Sequence, residues 1–135
     1  LCAKLFAMFV SADERAFTEE IYMNTAHLRL MRELGMHIGS HAHKHEWMGG
    51  LSLSEQASEI QASLDMLTDI GVEVCEGWTM AFPYGDRNAS THRLLREKGC
   101  RAAFACEYRA AEPQQDDMLD LPRIDTSALY PLTAY

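Results

Sequence analysis

Met36-His37-Ile38-Gly39-Ser40-His41-Ala42-His43-Lys44-His45 reads as a short strand, Met36 to Gly39, that runs directly into three of the chain's six histidines. A neutral imidazole carries one nitrogen lone pair, so two or three that converge make a site for Zn²⁺ or a similar borderline ion. Alternate residues share a face of an extended segment, and residues four apart share a face of a helix. His41 and His45 therefore converge in either conformation, whereas His43 joins them only on an extended backbone. The plainer alternative is a polar surface loop with surplus histidines, as in a purification tag. The internal position, at the end of an apolar stretch, suits a strand-end site better.

The flanking sequence alternates strand with helix. Leu5-Phe6-Ala7-Met8-Phe9-Val10 is a short apolar run that reads as a buried strand, broken by Ser11-Ala12-Asp13-Glu14. From Asn24 to Leu34, Ala26, Leu28, Leu30, Met31 and Leu34 mark an amphipathic helix with Gly35 as its stop. Ser54 is taken as the N-cap of the clearest helix, in which Ile60, Leu64, Leu67 and Ile70 recur at helical spacing before Gly71. Trp78 to Phe82 reads as a strand entering the turn Pro83-Tyr84-Gly85-Asp86. A helix from Ser90 to Lys98 stops at Gly99, Arg101 to Ala105 forms a strand, and Leu119 to Ile124 forms a last one. This alternation predicts a parallel sheet or barrel with right-handed crossovers and functional loops at the carboxyl ends of the strands. The histidine cluster and the Pro83 turn both follow predicted strands and lie about forty residues apart, so adjacent parallel strands place them side by side.

At 135 residues a single domain spanning 1–135, or part of a larger one, is expected. The net charge of −8 and the scattered basic residues argue against nucleic-acid phosphate or an anionic membrane as partner. No segment approaches the roughly 20 apolar residues needed to span a bilayer. The apolar start Leu1 to Val10, with Lys4 inside it, makes a poor signal peptide. Cys2, Cys75, Cys100 and Cys106 form no Cys-x-x-Cys pair and are read as buried structural thiols. The compartment stays open between a bacterial cell envelope and cytoplasm.

Two motifs carry a family resemblance. Ile38-Gly39-Ser40-His41-Ala42-His43-Lys44-His45 resembles the His-Ser/Thr-x-x-His metal motif of NodB-like polysaccharide deacetylases, carbohydrate esterase family 4. Ala81-Phe82-Pro83-Tyr84-Gly85 resembles that family's Arg-x-Pro-Tyr-Gly motif. The helix after Leu51-Ser52 fits the linker between them. Thr91 to Phe104 is similar to the helix, glycine and Ala-Phe strand often found next, and Leu121-Pro122-Arg123-Ile124 to a late segment of short members. The resemblance implies an incomplete or deformed (β/α) barrel and metal-dependent removal of acetyl groups from N-acetylated glycans. It implies His41 and His45 as ligands of Zn²⁺ or another divalent transition metal. It further implies Tyr84 as the residue whose backbone N–H faces the developing oxyanion, and Pro83 as the shaper of that turn. His43 falls at a variable position and becomes a neighbour rather than a ligand.

The departures shape the expectations. The family's Asp-Asp pair, catalytic base and third ligand, precedes an apolar strand like Leu5 to Val10, and no aspartate lies before Leu5. With a Leu rather than a Met at its start, the chain is expected to be part of a longer product that carries the pair; the alternative is an inactive domain that binds metal or glycan or scaffolds a partner. Ala42 replaces the motif's hydroxyl residue and Ala81 its arginine, for which Arg123 is a substitute from another strand. There is no late Leu-x-His motif, so the catalytic acid is unassigned, and His92 is read as solvated on a helix. Asp116-Asp117 reads as a solvated loop, Asp120 and Asp125 flank the final strand, and Asp125 is a candidate at its carboxyl end. His27 and His37 are assigned packing roles on a helix and a strand. Trp47 and Met48 either wall a sugar site or close the barrel rim. Too few strands to close a barrel leave an open edge at Leu5 to Val10, which predicts homo-oligomerisation or cover by a further segment.

Overall fold

Two compact units, Leu1–His37 and Ile38–Tyr135, make up the chain. The computed structural model describes residues 2–112 and 114–126, so the ends of the expected 1–135 span and residue 113 lie outside the described residues. The first unit is helical: α1 (Cys2–Phe9), α2 (Glu14–Ile21) and α3 (Thr25–Glu33). The strand expected at Leu5 to Val10 is therefore the second half of α1, closed by Val10 N–H donating to Phe6 O at 2.8 Å. Periodicity does not separate a short buried strand from a short apolar helix, and Ala, Lys, Leu and Met in Cys2–Phe9 are good helix formers. The sheet edge expected there is absent with it. Phe6 meets Phe17 of α2 edge-on, with ring centroids 5.3 Å apart.

Polar residues set the ends of these helices. Asp13 Oδ1 accepts from Ala16 N–H at 3.0 Å and starts α2 inside a stretch read as a break. Asn24 and His27 form a reciprocal capping box at the start of α3, so His27 is an exposed capping residue rather than a packed one. His37 is likewise exposed, and no strand forms at Met36 to Gly39. None of the three helices contains a buried residue.

The second unit holds the sheet and the core. α4 (Leu53–Asp69) leads to β1 (Trp78–Ala81), and α5 (Ala89–Glu97) leads from β1 to β2 (Cys100–Phe104). β1 and β2 pair in parallel, with Thr79 opposite Ala102 and Ala81 opposite Phe104. One bridge extends the pair on each side, Ser40 to Met80 and Leu121 to Phe104, both parallel. Ser40 N–H donates to Thr79 O at 2.8 Å, and Ala81 N–H donates to Ser40 O at 2.9 Å. On the other flank Leu121 N–H reaches Ala103 O and Ala105 N–H reaches Leu121 O, both at 2.8 Å. The parallel crossover order thus stands, but the strand expected at Met36 to Gly39 is replaced by a single bridge at Ser40, and the last expected strand, Leu119 to Ile124, shrinks to one at Leu121. Among the described residues the sheet has two strands, not a closed barrel.

Helix α4 starts two residues earlier in the sequence than its apolar pattern suggested. Ser52, not Ser54, is the N-cap, because only Ser52 has a glutamate three residues on to complete a capping box: Ser52 N–H donates to Glu55 Oε2 at 2.8 Å. Those hydrogen bonds from Ser52 hold the Glu55 carboxyl below its ordinary pKa. Gly71, at φ +89°, ends α4 in a left-handed turn that costs a Cβ-bearing residue more. Ile60, Leu64, Leu67 and Ile70 are buried, as are Trp78, Met80, Phe82 and Leu95, and together they belong to the core. The Trp78 indole N–H is satisfied by Lys98 O at 2.8 Å.

Candidate metal and acyl-transfer site

The histidine loop and the Pro83 turn lie at the same end of the parallel pair. Gly39 approaches Thr79 so closely that any Cβ would run into the Thr79 side chain, which lets Ser40 bridge to β1. From Ser40 the chain turns sharply, with left-handed φ at Ala42 (+60°) and His45 (+61°). His41 Nδ1 lies 2.7 Å from the carbonyl of Ala81, the last residue of β1. A carbonyl only accepts, so the contact requires the proton on Nδ1 and leaves the lone pair on Nε2. This is the arrangement by which a backbone carbonyl orients a metal-ligating imidazole.

His45 completes the pair, its ring centroid 4.7 Å from that of His41. It also stands 4.6 Å from the Tyr84 ring, and Trp47 stacks flat on Tyr84 at 4.3 Å and 7°. The result is an exposed row His41, His45, Tyr84, Trp47, while the neighbouring Met48 is fully buried. His43 makes no ring contact with this row among the described residues; its N–H donates to Glu59 Oε2 at 3.1 Å, as does that of Lys44 at 2.7 Å. Ser40 Oγ, buried, contacts Ser63 Oγ at 2.7 Å and accepts from Ala42 N–H at 3.2 Å.

Pro83–Gly85 is a single 3-10 turn with Tyr84 at φ +56°. Gly85 N–H donates to Phe82 O and Asp86 N–H to Pro83 O, so the turn is closed beyond Tyr84. Tyr84 N–H stands too early in the turn for an acceptor within it, and Pro83 has no N–H. The loop is braced from both sides. Asp86 Oδ2 accepts from Gly49 N–H at 2.6 Å, and the Asn88 side chain donates to Gly49 O at 3.0 Å. Arg87 donates to Gly85 O at 2.8 Å and pairs with Asp120 at 2.7 Å and Glu107 at 2.6 Å. Burial opposes the Arg87 charge, but its hydrogen bonds to the Asp120 and Glu107 carboxylates more than offset it and raise its pKa.

Other expected positions lie elsewhere. Arg123 and Asp125 are exposed, and the arginine that reaches the turn is Arg87. Asp116 is engaged by Arg109 and Asp117 by Arg96, which suits the acidic loop. His92 is not solvated: it stacks near Phe82 with centroids 6.1 Å apart, and its Nε2 is buried without a hydrogen bond, 4.0 Å from Asp120. Cys2, Cys75 and Cys106 are exposed free thiols, against the buried role expected; Cys100 is half-buried, and burial pushes its pKa to about 11. Sequence reading missed Glu59, Ser63, Asp86 and Arg87. Glu59 and Ser63 lie, with Gln56, on the face of α4 that Ile60, Leu64 and Leu67 mark as buried.

As a donor set, two imidazoles with one tautomer locked fit a zinc-like ion as two of its ligands. Among the described residues no third His, Cys, Asp or Glu joins them. None of the described helices is long and apolar enough to cross a membrane.

Residues 6–103 match the sequence profile of a family described as polysaccharide deacetylase. Two solved structures share the fold. The Streptococcus pyogenes deacetylase PplD in complex with acetate superposes with a TM-score of 0.67 at 19% identity, over 81% of this chain and 47% of that one. A family 4 carbohydrate esterase from Streptomyces lividans in complex with acetate does so with a TM-score of 0.55 at 21% identity, over 62% of this chain and 42% of that one. The chain thus spans less than half the length of either structure. No curated protein matches it.

Proposed function

The chain belongs to the polysaccharide deacetylase family, and we propose that it is a metal-dependent hydrolase removing N-acetyl groups from an amino-sugar polysaccharide or oligosaccharide. The observation that carries this reading is the His41–His45 pair, locked to the end of β1 through His41 Nδ1 and Ala81 O and set against Tyr84. Acetate, bound in both matched structures, is the acid that N-acetyl hydrolysis releases, which supports the same reaction class here. The two strands and their flanking bridges are read as part of a deformed (β/α) barrel.

Each residue has a definable task. His41 and His45 would hold Zn²⁺ or another divalent transition metal, which supplies a Lewis acid for the acetyl carbonyl and lowers the pKa of water. The Ala81 carbonyl keeps His41 in the tautomer that leaves Nε2 as the donor. Tyr84 N–H, uncommitted within its own turn, donates to the oxyanion as the carbonyl carbon becomes tetrahedral. Pro83 and Gly85 fix that turn, and Arg87 braces it through Gly85 O. The stacked Trp47 and Tyr84 rings offer an apolar wall to a sugar face. His43, Arg123 and Asp125 have no assigned step.

A second reading is a catalytically inactive deacetylase-like domain that binds metal or glycan or scaffolds a partner. It is favoured by one observation: no carboxylate joins the two histidines among the described residues. Acetate release from N-acetylglucosamine oligomers, with Zn²⁺ supplied, separates the two. Release lost in His41→Ala supports the hydrolase; Zn²⁺ bound through the pair without release supports the inactive domain.

A further inference from the structure

Helix α4 buries three polar side chains, Gln56, Glu59 and Ser63, on the face that also carries Ile60, Leu64 and Leu67. A carboxylate is expensive to bury unless its oxygens are hydrogen-bonded. Glu59 is only 7% exposed, and no Lys or Arg pairs with it among the described residues. Its partners are instead two backbone groups of the histidine loop, His43 N–H at 3.1 Å and Lys44 N–H at 2.7 Å, both on Oε2. Hydrogen bonds to an ionised acceptor are roughly twice as strong as neutral ones.

Those two amides lie between the loop's two left-handed residues, Ala42 at φ +60° and His45 at φ +61°. Residues with a Cβ hold that conformation only where surrounding contacts enforce it. Ser63 fixes the entry to the loop through Ser40, and Glu59 fixes its middle. We infer that Glu59 is a positioning residue for the metal pair: it clamps the His43 and Lys44 amides, and so holds the turns that carry the His45 ring to within 4.7 Å of His41. This rests on the reading of His41 and His45 as ligands. Residues that orient a ligand from behind typically carry 10- to 100-fold of metal affinity.

The test is calorimetric Zn²⁺ titration of the full chain, below its melting temperature, with amide hydrogen exchange measured separately without metal. Glu59→Leu is expected to weaken Zn²⁺ binding by about 10- to 100-fold. Glu59→Gln, which keeps one acceptor oxygen, recovers most of that loss. Leu67→Ala, a core change on the same helix, lowers the melting temperature and leaves the affinity alone. The His43 and Lys44 amides exchange slowly in the unsubstituted chain and fast in Glu59→Leu. Unchanged affinity in Glu59→Leu, or an equal loss in Leu67→Ala, overturns the inference and leaves the histidine pair standing. Fast exchange of both amides in the unsubstituted chain overturns the clamp. If the unsubstituted chain takes up no Zn²⁺, the ligand reading falls and the role of Glu59 falls with it. Should Glu59→Leu fail to fold, Glu59→Gln decides, with a severalfold loss expected and none overturning the inference.

Discussion

Helices α3 and α4 are closed alike, each by a capping box at its start and a left-handed glycine after its end, yet α4 buries six side chains and α3 none. The residue after each glycine even closes its helix in the same way: Met36 N–H donates to Met31 O in one, and Val72 N–H donates to Leu67 O in the other. Local signals are therefore sufficient to start and stop a helix, and they say nothing about what its face will meet. Helices as short as α3 draw little stability from propensity alone. The site is an exposed row on loops held by the buried core of α4, β1 and α5, and that core is where substitutions are expected to tell.

The largest effect should come from one chemical change made in both units. Phe82 is fully buried and Phe9 is 76% exposed. Phe82→Ala is expected to cost about 3–5 kcal/mol in denaturant unfolding, and Phe9→Ala less than about 0.5 kcal/mol. Equal losses would break the contrast. A smaller effect separates the caps. Ser52→Ala should cost about 1 kcal/mol while α4 stays formed under its tertiary contacts. Asn24→Ala should instead show as lost amide protection along α3, with little change in the unfolding of the second unit.

The Ser52 cap also has a pH signature. Because Ser52 depresses the folded-state pKa of Glu55 below 4.5, the cap's contribution is complete above that value and is lost as the pH falls through the depressed one. The stability difference between the unsubstituted chain and Glu55→Gln should therefore shrink on acidification, measured by unfolding midpoints from neutral pH downward. A difference that grows on acidification would mean that the cap does not favour the ionised Glu55 carboxylate. The smallest effect concerns the thiols. At about pH 8, alkylation should reach Cys2, Cys75 and Cys106 before Cys100, whose rate should trail by tenfold or more, read by mass spectrometry.

The same contrast explains what could be read from residues alone. β1, β2, α4 and α5 were legible because Pro83, Gly71 and Gly99 punctuate them and Ile60, Leu64, Leu67 and Ile70 set a period. Leu5 to Val10 was misread because an apolar run of that length suits a strand and a helix equally. His41 and His45 announced themselves, and both reach one end of the sheet. The parts that hold them did not. Glu59 looks like an ordinary helical glutamate until the backbone amides of His43 and Lys44 are seen to turn toward it. Trp47 on Tyr84, and Arg87 on Gly85 O, likewise depend on two loops meeting in space rather than on any spacing along the chain.

The most direct test of the metal pair is a long-range proton–nitrogen NMR correlation of the imidazoles during Zn²⁺ titration. The account predicts that His41 holds its proton on Nδ1 before metal is added, and that ring nitrogens of His41 and His45 shift together while His27, His37 and His43 stay put. Shifts spread over all the exposed histidines, or none at His41 and His45, would contradict it.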